Sequence, residues 1–186
     1  MPSNLNTSLD LYQKVHFIGI GGIGISALAR ILYQLGDQVS GSDQSKSNNT
    51  ISLEKEGINV YYSHAKENLD KDCQLVIHTI AIPEDNPELL AAKEQKCQIL
   101  TYPQALGLLT EKLFTIAISG THGKTTTTAM TGLTMLENET DPSIIVGSLI
   151  PQLDNKNERV GHSKYLVVEA CEYQESFLNY HPDILV

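Results

Sequence analysis

The chain has 186 residues, 41% of them hydrophobic, and a formal net charge of −9 at neutral pH, so it has room for one large or two small packed domains. The acidic charge and the lack of a basic run argue against a nucleic-acid partner. Three widely spaced cysteines make neither a metal cluster nor a disulfide framework, and no stretch approaches the ~20 apolar residues of a membrane-spanning helix, so we expect a cytoplasmic protein without a membrane partner.

The chain starts with a polar leader and then shows a strand, a glycine loop and a helix. Met1 to Asp10 lacks the apolar core of a secretory signal, so we expect it to be disordered. Lys14 to Ile18 predicts a strand, and Gly19 to Gly24 follows it with the spacing Gly-x-Gly-x-x-Gly. Ser26 to Leu35 then has apolar residues at helical spacing.

An acidic residue follows the second predicted strand. Gln38 to Gly41 predicts this strand, and Asp43 comes about 20 residues after the glycines, as in dinucleotide-binding folds. The spacing alone therefore indicates an NAD site. A single glycine fingerprint does not identify the ligand, because any diphosphate can bind the same backbone amides.

Strand and helix patterns alternate in the rest of the N-terminal part. The predicted strands are Asn59 to Tyr62, Leu75 to His78 and Gln98 to Leu100, and the predicted helices are Ser52 to Glu56, Glu88 to Lys96 and Pro103 to Leu109. Repeated units of this kind favour a parallel sheet with right-handed crossovers. We therefore predict an α/β protein with a Rossmann-like domain over 1–110 and a second domain over 111–186.

A second glycine loop lies between the predicted strand Phe114 to Ile118 and the predicted helix Thr125 to Leu136. It matches Gly-x-x-Gly-Lys-Thr, a shortened Walker A motif in which Ile118 replaces the first glycine. Backbone amides, the helix N-terminus and a lysine all attract phosphate. The loop therefore predicts ATP binding, and the alternative is a glycine-rich turn with a solvated lysine. The predicted ATP-binding residues are Gly120, Thr121, His122, Gly123, Lys124, Thr125 and Thr126.

Two residues of this second domain are candidate Mg²⁺ ligands. Thr125 follows the loop lysine, where a hydroxyl binds the Mg²⁺ that accompanies a nucleoside triphosphate. Glu169 ends the predicted strand Tyr165 to Val168. Because ligands bind at the carboxyl ends of parallel strands, this carboxylate is the expected second ligand.

Six segments together give the chain a family resemblance. They are Gly19 to Ser26, Ser40 to Asp43, Asp85 to Glu88, Ser119 to Thr128, Glu169 to Tyr173 and His181 to Asp183. The chain resembles the Mur ligases of peptidoglycan synthesis. The phosphate loop is common to all Mur ligases and to folylpolyglutamate synthases. The N-terminal glycine loop and Glu169 to Tyr173 are similar to those of the family member that adds L-alanine.

The resemblance implies an ATP-dependent enzyme that forms an amide bond between L-alanine and UDP-N-acetylmuramate. In that family the lactyl carboxylate attacks the γ-phosphate to give an acyl phosphate, and the L-alanine amine then displaces phosphate. Lys124 and His122 would be catalytic, and Thr125 and Glu169 would hold Mg²⁺. The residues that would bind the UDP-sugar are Gly21, Gly22, Ile23, Gly24, Ser26, Asp43, His64, Thr79 and Ala81.

Three side chains have alternative interpretations, and a fourth has a structural one. Asp43 would contact the uridine ribose or cap the following loop. His64 would contact uridine or lie on the surface. His122 would donate a hydrogen bond to a phosphate or only shape its loop. Cys171 is expected to be a small buried thiol.

The family also differs from this chain in length. Mur ligases continue well beyond the equivalent of Val186, so the resemblance implies a fragment that binds ligand, does not catalyse alone and contacts the C-terminal part of the ligase. Asp183 to Val186 has the sequence of a buried strand, and we expect a fragment to leave an exposed apolar sheet edge near Ile184 to Val186. We expect the second domain to hold its phosphate loop with one or two further strands. The alternatives are a non-catalytic UDP-sugar-binding or regulatory protein, and an NAD-dependent oxidoreductase, which leaves the phosphate loop unexplained.

Overall fold

The computed structural model describes residues 13–186, so the predicted disordered leader lies outside the described residues. The chain forms two compact units that meet in sequence between Ala105 and Leu106. Each unit contains its own five-stranded sheet with helices. The predicted α/β class, with a Rossmann-like part followed by a second α/β part, is confirmed, and the domain boundary near residue 111 stays a prediction.

The first unit alternates strands and helices. Its elements are β1 (Lys14–Ile18), α1 (Ile23–Gln34), β2 (Gln38–Ser42), α2 (Asn48–Lys55), β3 (Asn59–Tyr61), β4 (Leu75–His78), α3 (Pro87–Gln95) and β5 (Gln98–Thr101), with a 3₁₀ turn at Lys66–Asn68. The sheet order is β3-β2-β1-β4-β5, and every pair is parallel. Helix α4 (Tyr102–Thr110) follows β5 in the chain.

The core of this unit includes the central strand and one face of helix α1, and Ile18 of β1 belongs to a buried cluster with Leu89 and Ala92 of α3. Phe17 and Ile18 of β1 are fully buried, and so are Leu28 and Leu32, which lie four residues apart on one face of α1. Burial of each such side chain contributes about 1.5–3 kcal/mol. The packed core therefore fixes β1 and α1, and with them the glycine loop that joins these two elements.

The second unit has more strands than the sequence predicted. Its elements are β6 (Phe114–Ile118), α5 (Lys124–Glu137), β7 (Ser143–Ile150), β8 (Lys156–Arg159), β9 (Tyr165–Glu169) and β10 (Ile184–Leu185), with 3₁₀ segments at Pro151–Leu153 and Tyr173–Asn179. The sheet order is β10-β6-β9-β7-β8, in which only the β7–β8 pair is antiparallel among the described strands. The expectation of one or two strands besides the phosphate-loop strand was wrong, because β7 and β8 were not recognised.

The last strand forms the expected exposed edge of the sheet, although its sequence is typical of a buried strand. Ile184 and Leu185 expose 44% and 66% of their surfaces. They pair in parallel with β6 at the edge of the sheet, and the main chain of Val186 bonds to Ala117 and Ser119. An apolar sequence predicts burial on both faces of a parallel strand, but an edge position leaves these side chains open to solvent.

None of the helices in residues 13–186 combines the length and the apolar content that crossing a bilayer requires.

Replacement of Gly41 by alanine should destabilise the first unit. A Cβ atom at this position in β2 would lie 2.7 Å from the Phe17 carbonyl oxygen and 2.6 Å from Ile20 Cδ1. Since the carbonyl belongs to the neighbouring strand, relief requires a backbone shift, and we expect a loss of about 1–3 kcal/mol of unfolding free energy. Chemical denaturation measures this loss. Gln38→Ala, at the exposed start of the same strand, is the control, and an equal effect of the two variants would contradict the packing argument.

Candidate functional site

An open cleft of about 880 Å³ lies at the carboxyl ends of the strands in the first unit. Its lining residues are Gly19, Gly22, Asp43, Gln44, Tyr62, Ser63, His64, Thr79, Ala81, Ile82, Pro83, Asp85, Asn86 and Pro87. Open parallel sheets bind ligands at this edge. Five of the predicted UDP-sugar residues lie on the cleft wall, namely Gly22, Asp43, His64, Thr79 and Ala81.

The glycine loop presents the N-terminus of α1 to this cleft. Gly22 is the N-cap residue, is exposed, and no side chain caps the helix. The first turn of α1 also contains no acidic residue. The first amides of a helix need partners from outside the helix, and its dipole attracts negative charge. The end of α1 is therefore suited to an anionic group such as a diphosphate.

Asp43 holds the glycine loop in place. Its Oδ2 accepts a hydrogen bond from the Gly21 amide at 2.9 Å, and its Oδ1 accepts one from the Ser45 amide at 3.0 Å. Asn49 Nδ2 donates to the Gly21 carbonyl at 2.9 Å. The capping interpretation of Asp43 is therefore seen directly, while its contact with a ribose stays a prediction.

The other predicted UDP-sugar residues do not line the cleft. Ser26 is fully buried, and its hydroxyl donates to the Ile23 carbonyl at 2.9 Å. Gly24 lies under the ring of Tyr102, which a Cβ atom at residue 24 would approach to 2.8 Å. Gly21, Ile23, Gly24 and Ser26 thus shape the loop and the start of α1, and any role for their backbone amides in ligand binding remains a prediction.

A buried polar cluster, which we call the Glu88 cluster, lies behind the cleft wall and consists of His16, Ser42, His64, Asn68 and Glu88. Glu88 Oε2 accepts a hydrogen bond from Ser42 Oγ at 2.5 Å and lies 3.1 Å from His64 Nδ1. Glu88 Oε1 accepts from Asn68 Nδ2 at 2.6 Å and lies 3.6 Å from His16 Nε2. His64 exposes only 10% of its side chain, so the alternative of a surface histidine was wrong.

The surroundings of the Glu88 carboxyl group favour its ionised form in spite of its burial. Burial by itself raises the pKa of this group, but His16, Ser42 and Asn68 favour the carboxylate and hold the pKa below the ordinary glutamate value. Glu88 also lies in the first turn of α3, where the helix dipole favours negative charge. The sequence analysis missed this role, because Asn86-Pro87-Glu88 has the pattern of a helix start, and Asn86 does cap α3.

We expect Glu88 to make the stability of the protein fall on acidification. A carboxyl group with a lowered pKa in the folded state stabilises the fold above its unfolded pKa, and this contribution is lost as the pH falls from the ordinary glutamate range through the lower pKa of the folded state. In Glu88→Gln the pH dependence of the unfolding free energy, measured by urea denaturation, should be smaller. Glu94→Gln changes an exposed glutamate of the same helix and should keep the wild-type dependence. Identical pH profiles for wild type and Glu88→Gln would contradict this.

The phosphate loop of the second unit has the backbone that its sequence predicted. Gly120 and Gly123 have φ angles of +131° and +80°, which other residues rarely adopt. Helix α5 starts at Lys124, directly after the loop, with no acidic residue in its first turn. The loop and the helix N-terminus therefore form a second arrangement that is suited to an anion. In it Thr121, His122 and Thr126 are exposed and Thr125 is half-buried.

Lys124 forms an ion pair with Glu172, a residue to which the sequence analysis gave no role. Its Nζ donates to the Gly120 carbonyl at 2.6 Å and lies 2.8 Å from Glu172 Oε2. The hydrogen bond that Lys124 donates to Glu172 raises the pKa of Lys124, and the same contact lowers the pKa of Glu172. The carboxylate thus occupies a position beside the lysine that suits an anionic oxygen of a ligand.

Glu169 lies at the end of β9, next to the strand that leads into the phosphate loop. It pairs with Ile118, and its Oε1 accepts a hydrogen bond from the Gly147 amide at 2.8 Å. Within the part of the chain that the structure describes, no three His, Cys, Asp or Glu side chains are grouped to hold a metal ion. A carboxylate such as Glu169 is the kind of ligand that Mg²⁺ takes together with waters and substrate phosphates, and its role as a metal ligand stays a prediction.

Cys171 was predicted to be a buried thiol, and this prediction was wrong. Its side chain is exposed, because β9 ends at Glu169 and the chain then leaves the sheet.

Comparisons with known proteins show which family the chain is similar to. The model of the family described as "Mur ligase family, catalytic domain" matches residues 14–113. The chain is 50% identical over 176 residues to the UDP-N-acetylmuramate–L-alanine ligase of Acetivibrio thermocellus and 48% identical over 182 residues to that of Clostridium novyi. These matches cover 94% and 97% of the chain but 37% and 39% of the relatives.

A solved structure shows the same relationship. The crystal structure of the UDP-N-acetylmuramate–alanine ligase of Thermotoga maritima superimposes with a TM-score of 0.84 at 35% sequence identity. The match covers 92% of this chain and 40% of the Thermotoga chain. The chain thus spans about two fifths of the length of the proteins that it resembles.

Proposed function

Because the chain belongs to the Mur ligase family, we propose that it provides the UDP-N-acetylmuramate site and the phosphate loop of an ATP-dependent ligase that adds L-alanine in peptidoglycan precursor synthesis. The observation that carries this proposal is the cleft at the carboxyl ends of β1, β2 and β4, which opens on the uncapped N-terminus of α1. A negatively charged diphosphate fits this end of the helix.

In this proposal the UDP-sugar binds along the cleft. Gly22 lets the diphosphate approach the backbone closely, because it has no side chain. Thr79 follows β4, and its amide donates to the Ile18 carbonyl, so Thr79 and Ala81 border the glycine loop on the side opposite Asp43. The imidazole of His64 and the start of α3 line the part of the cleft that would receive the nucleoside.

ATP and Mg²⁺ would bind the second unit, whose residues suit them. Gly120, Gly123 and the first turn of α5 offer amides, and Lys124 offers a full positive charge. Thr125 and Glu169 would hold Mg²⁺, which neutralises phosphate charge during transfer. Lys124 would exchange its contact with Glu172 for a phosphate oxygen, and His122, exposed in the loop, would donate to a phosphate.

The chemistry that follows is acyl transfer. The lactyl carboxylate of the sugar takes the γ-phosphoryl group of ATP, which gives an acyl phosphate and ADP, and the amine of L-alanine then displaces phosphate to form the amide. Lys124 would stabilise the negative charge on the transferred group. We further propose a cytoplasmic location, no membrane or nucleic-acid partner, and contact with the C-terminal part of the ligase.

Gly22→Val tests the UDP-sugar site. Gly22 has a φ of −64°, which valine can adopt, so the variant should fold while its side chain covers the helix N-terminus. We expect the affinity for UDP-N-acetylmuramate, measured by calorimetry, to fall about tenfold or more, because the diphosphate can no longer approach the backbone.

The control for this experiment is Lys124→Ala, which changes the other unit and should bind the UDP-sugar as the wild type does. Tighter binding of NADH than of UDP-N-acetylmuramate by the wild type would show that the cleft is a nicotinamide site and that the proposal is wrong. UDP-sugar binding without any binding of Mg²⁺-ATP would instead favour the non-catalytic alternative.

Lys124→Ala also tests the phosphate loop. The Lys124 ammonium contacts the Gly120 carbonyl and the exposed Glu172 carboxylate, and an ion pair of this kind contributes little to folding, so the melting temperature should change little. Binding of Mg²⁺-ATP should weaken strongly, and in a family-length ligase that contains this sequence the turnover should fall about 100-fold or more. Lys112→Ala removes an exposed lysine and is the charge-matched control. Unchanged ATP affinity in Lys124→Ala would exclude the assigned role.

A further inference from the structure

The Glu88 cluster places an ionised carboxylate just behind the cleft wall. Glu88 is 0% exposed, and Ser42 and Asn68 both donate hydrogen bonds to it. Burial of a carboxylate is costly even when it is paired, and apolar side chains of similar size often stabilise a fold as well or better. The position of this charge beside the cleft therefore suggests that Glu88 has a functional role in addition to any contribution to stability.

The carboxylate determines which nitrogen of His64 carries a hydrogen atom. His64 Nδ1 lies 3.1 Å from Glu88 Oε2 and 2.9 Å from Ser42 Oγ. The hydroxyl hydrogen of Ser42 already goes to Glu88 Oε2 at 2.5 Å. Both neighbours of Nδ1 can therefore only accept from it. In the neutral imidazole a hydrogen on Nδ1 leaves a lone pair on Nε2.

The second nitrogen is the one left for a ligand. His64 lines the cleft and exposes 10% of its side chain, while Nδ1 faces the buried carboxylate. Nε2 thus serves as a hydrogen-bond acceptor at the cleft wall. The other histidine of the cluster, His16, is 1% exposed and does not line the cleft, and its Nδ1 lies 2.9 Å from Ser40 Oγ.

We propose that Glu88 is a positioning residue that holds His64 in the Nδ1–H form, so that Nε2 accepts a hydrogen bond from an N–H or O–H group of a nucleoside in the cleft. This inference rests on the proposed binding of a UDP-sugar. In uridine diphosphate the imide N3–H of uracil and the ribose hydroxyls are groups of this kind. A fixed acceptor would discriminate against nucleosides that lack the donor, because one buried polar group is then left without a partner.

Nitrogen NMR of the histidine rings tests the positioning role without any ligand. The protein is labelled with ¹⁵N-histidine and measured near pH 8, where an unperturbed imidazole is neutral (pKa about 6.5), and the His64 signals are identified by their loss in His64→Gln. We expect a protonated Nδ1 and an unprotonated Nε2 in the wild type. Glu88→Gln presents a donor as well as an acceptor, so the Nε2–H form should appear. Glu94→Gln should leave the signals unchanged.

Calorimetry with UDP, 3-methyl-UDP and 2′,3′-dideoxy-UDP tests the acceptor role. We expect one of the two analogues to bind the wild type about fivefold or more weakly than UDP, which corresponds to a single lost hydrogen bond. The first analogue identifies the uracil imide as the donor, and the second identifies the ribose. Glu88→Gln should bind UDP more weakly by a similar factor and should no longer distinguish that analogue from UDP.

The outcomes separate the two proposals. A wild-type His64 that carries its hydrogen on Nε2, or equal binding of all three ligands by the wild type, overturns the inference. If the wild type shows the Nδ1–H form but binds neither UDP nor UDP-N-acetylmuramate, the proposed function is wrong and the acceptor role fails with it, while the positioning by Glu88 stands. If Glu88→Gln does not fold, the inference is still tested by the His64 ring signals of the wild type and by the affinities of the wild type for the two analogues.

Discussion

Parallel pairing of β1 with both β2 and β4 is the constraint on which the cleft depends. Ile18 pairs with Ser42 on one side and with His78 on the other, so three strands end at the same level and their following loops meet at one edge. A shift by one residue in either register would turn alternate side chains to the opposite face of the sheet. The same rule operates in the second unit, where the pairing of Ile118 with Glu169 brings a carboxylate beside the phosphate loop.

The strands and loops that follow from local chemistry could be predicted from the sequence. β1, β4 and β6 have the predicted limits, because each is a short apolar run bounded by residues that end a strand. The two glycine loops were equally clear, since a chain that must turn sharply between a strand and a helix requires glycine at fixed places. The predicted cleft residues Thr79 and Ala81 followed from the same logic, as residues after a strand at the ligand-binding edge of a parallel sheet.

The features that could not be predicted depend on contacts between distant parts of the chain. The polar sequence of Lys156–Arg159 forms a strand only because β7 offers it an edge. Glu88 and His64 are 24 residues apart, and Lys124 and Glu172 are 48 apart, so no local pattern links either pair.

The contact between Lys124 and Glu172 gives the phosphate loop a tethered counter-ion. A bare lysine would be surrounded by mobile salt ions, which diffuse away when a ligand arrives. A carboxylate on the same chain cannot leave, and its local concentration stays high. An anion that approaches the loop must therefore compete with the Glu172 carboxylate for Lys124. Chloride or a single carboxylate offers the lysine little more than Glu172 does, whereas a ligand with several negative charges could also engage the backbone amides of the loop.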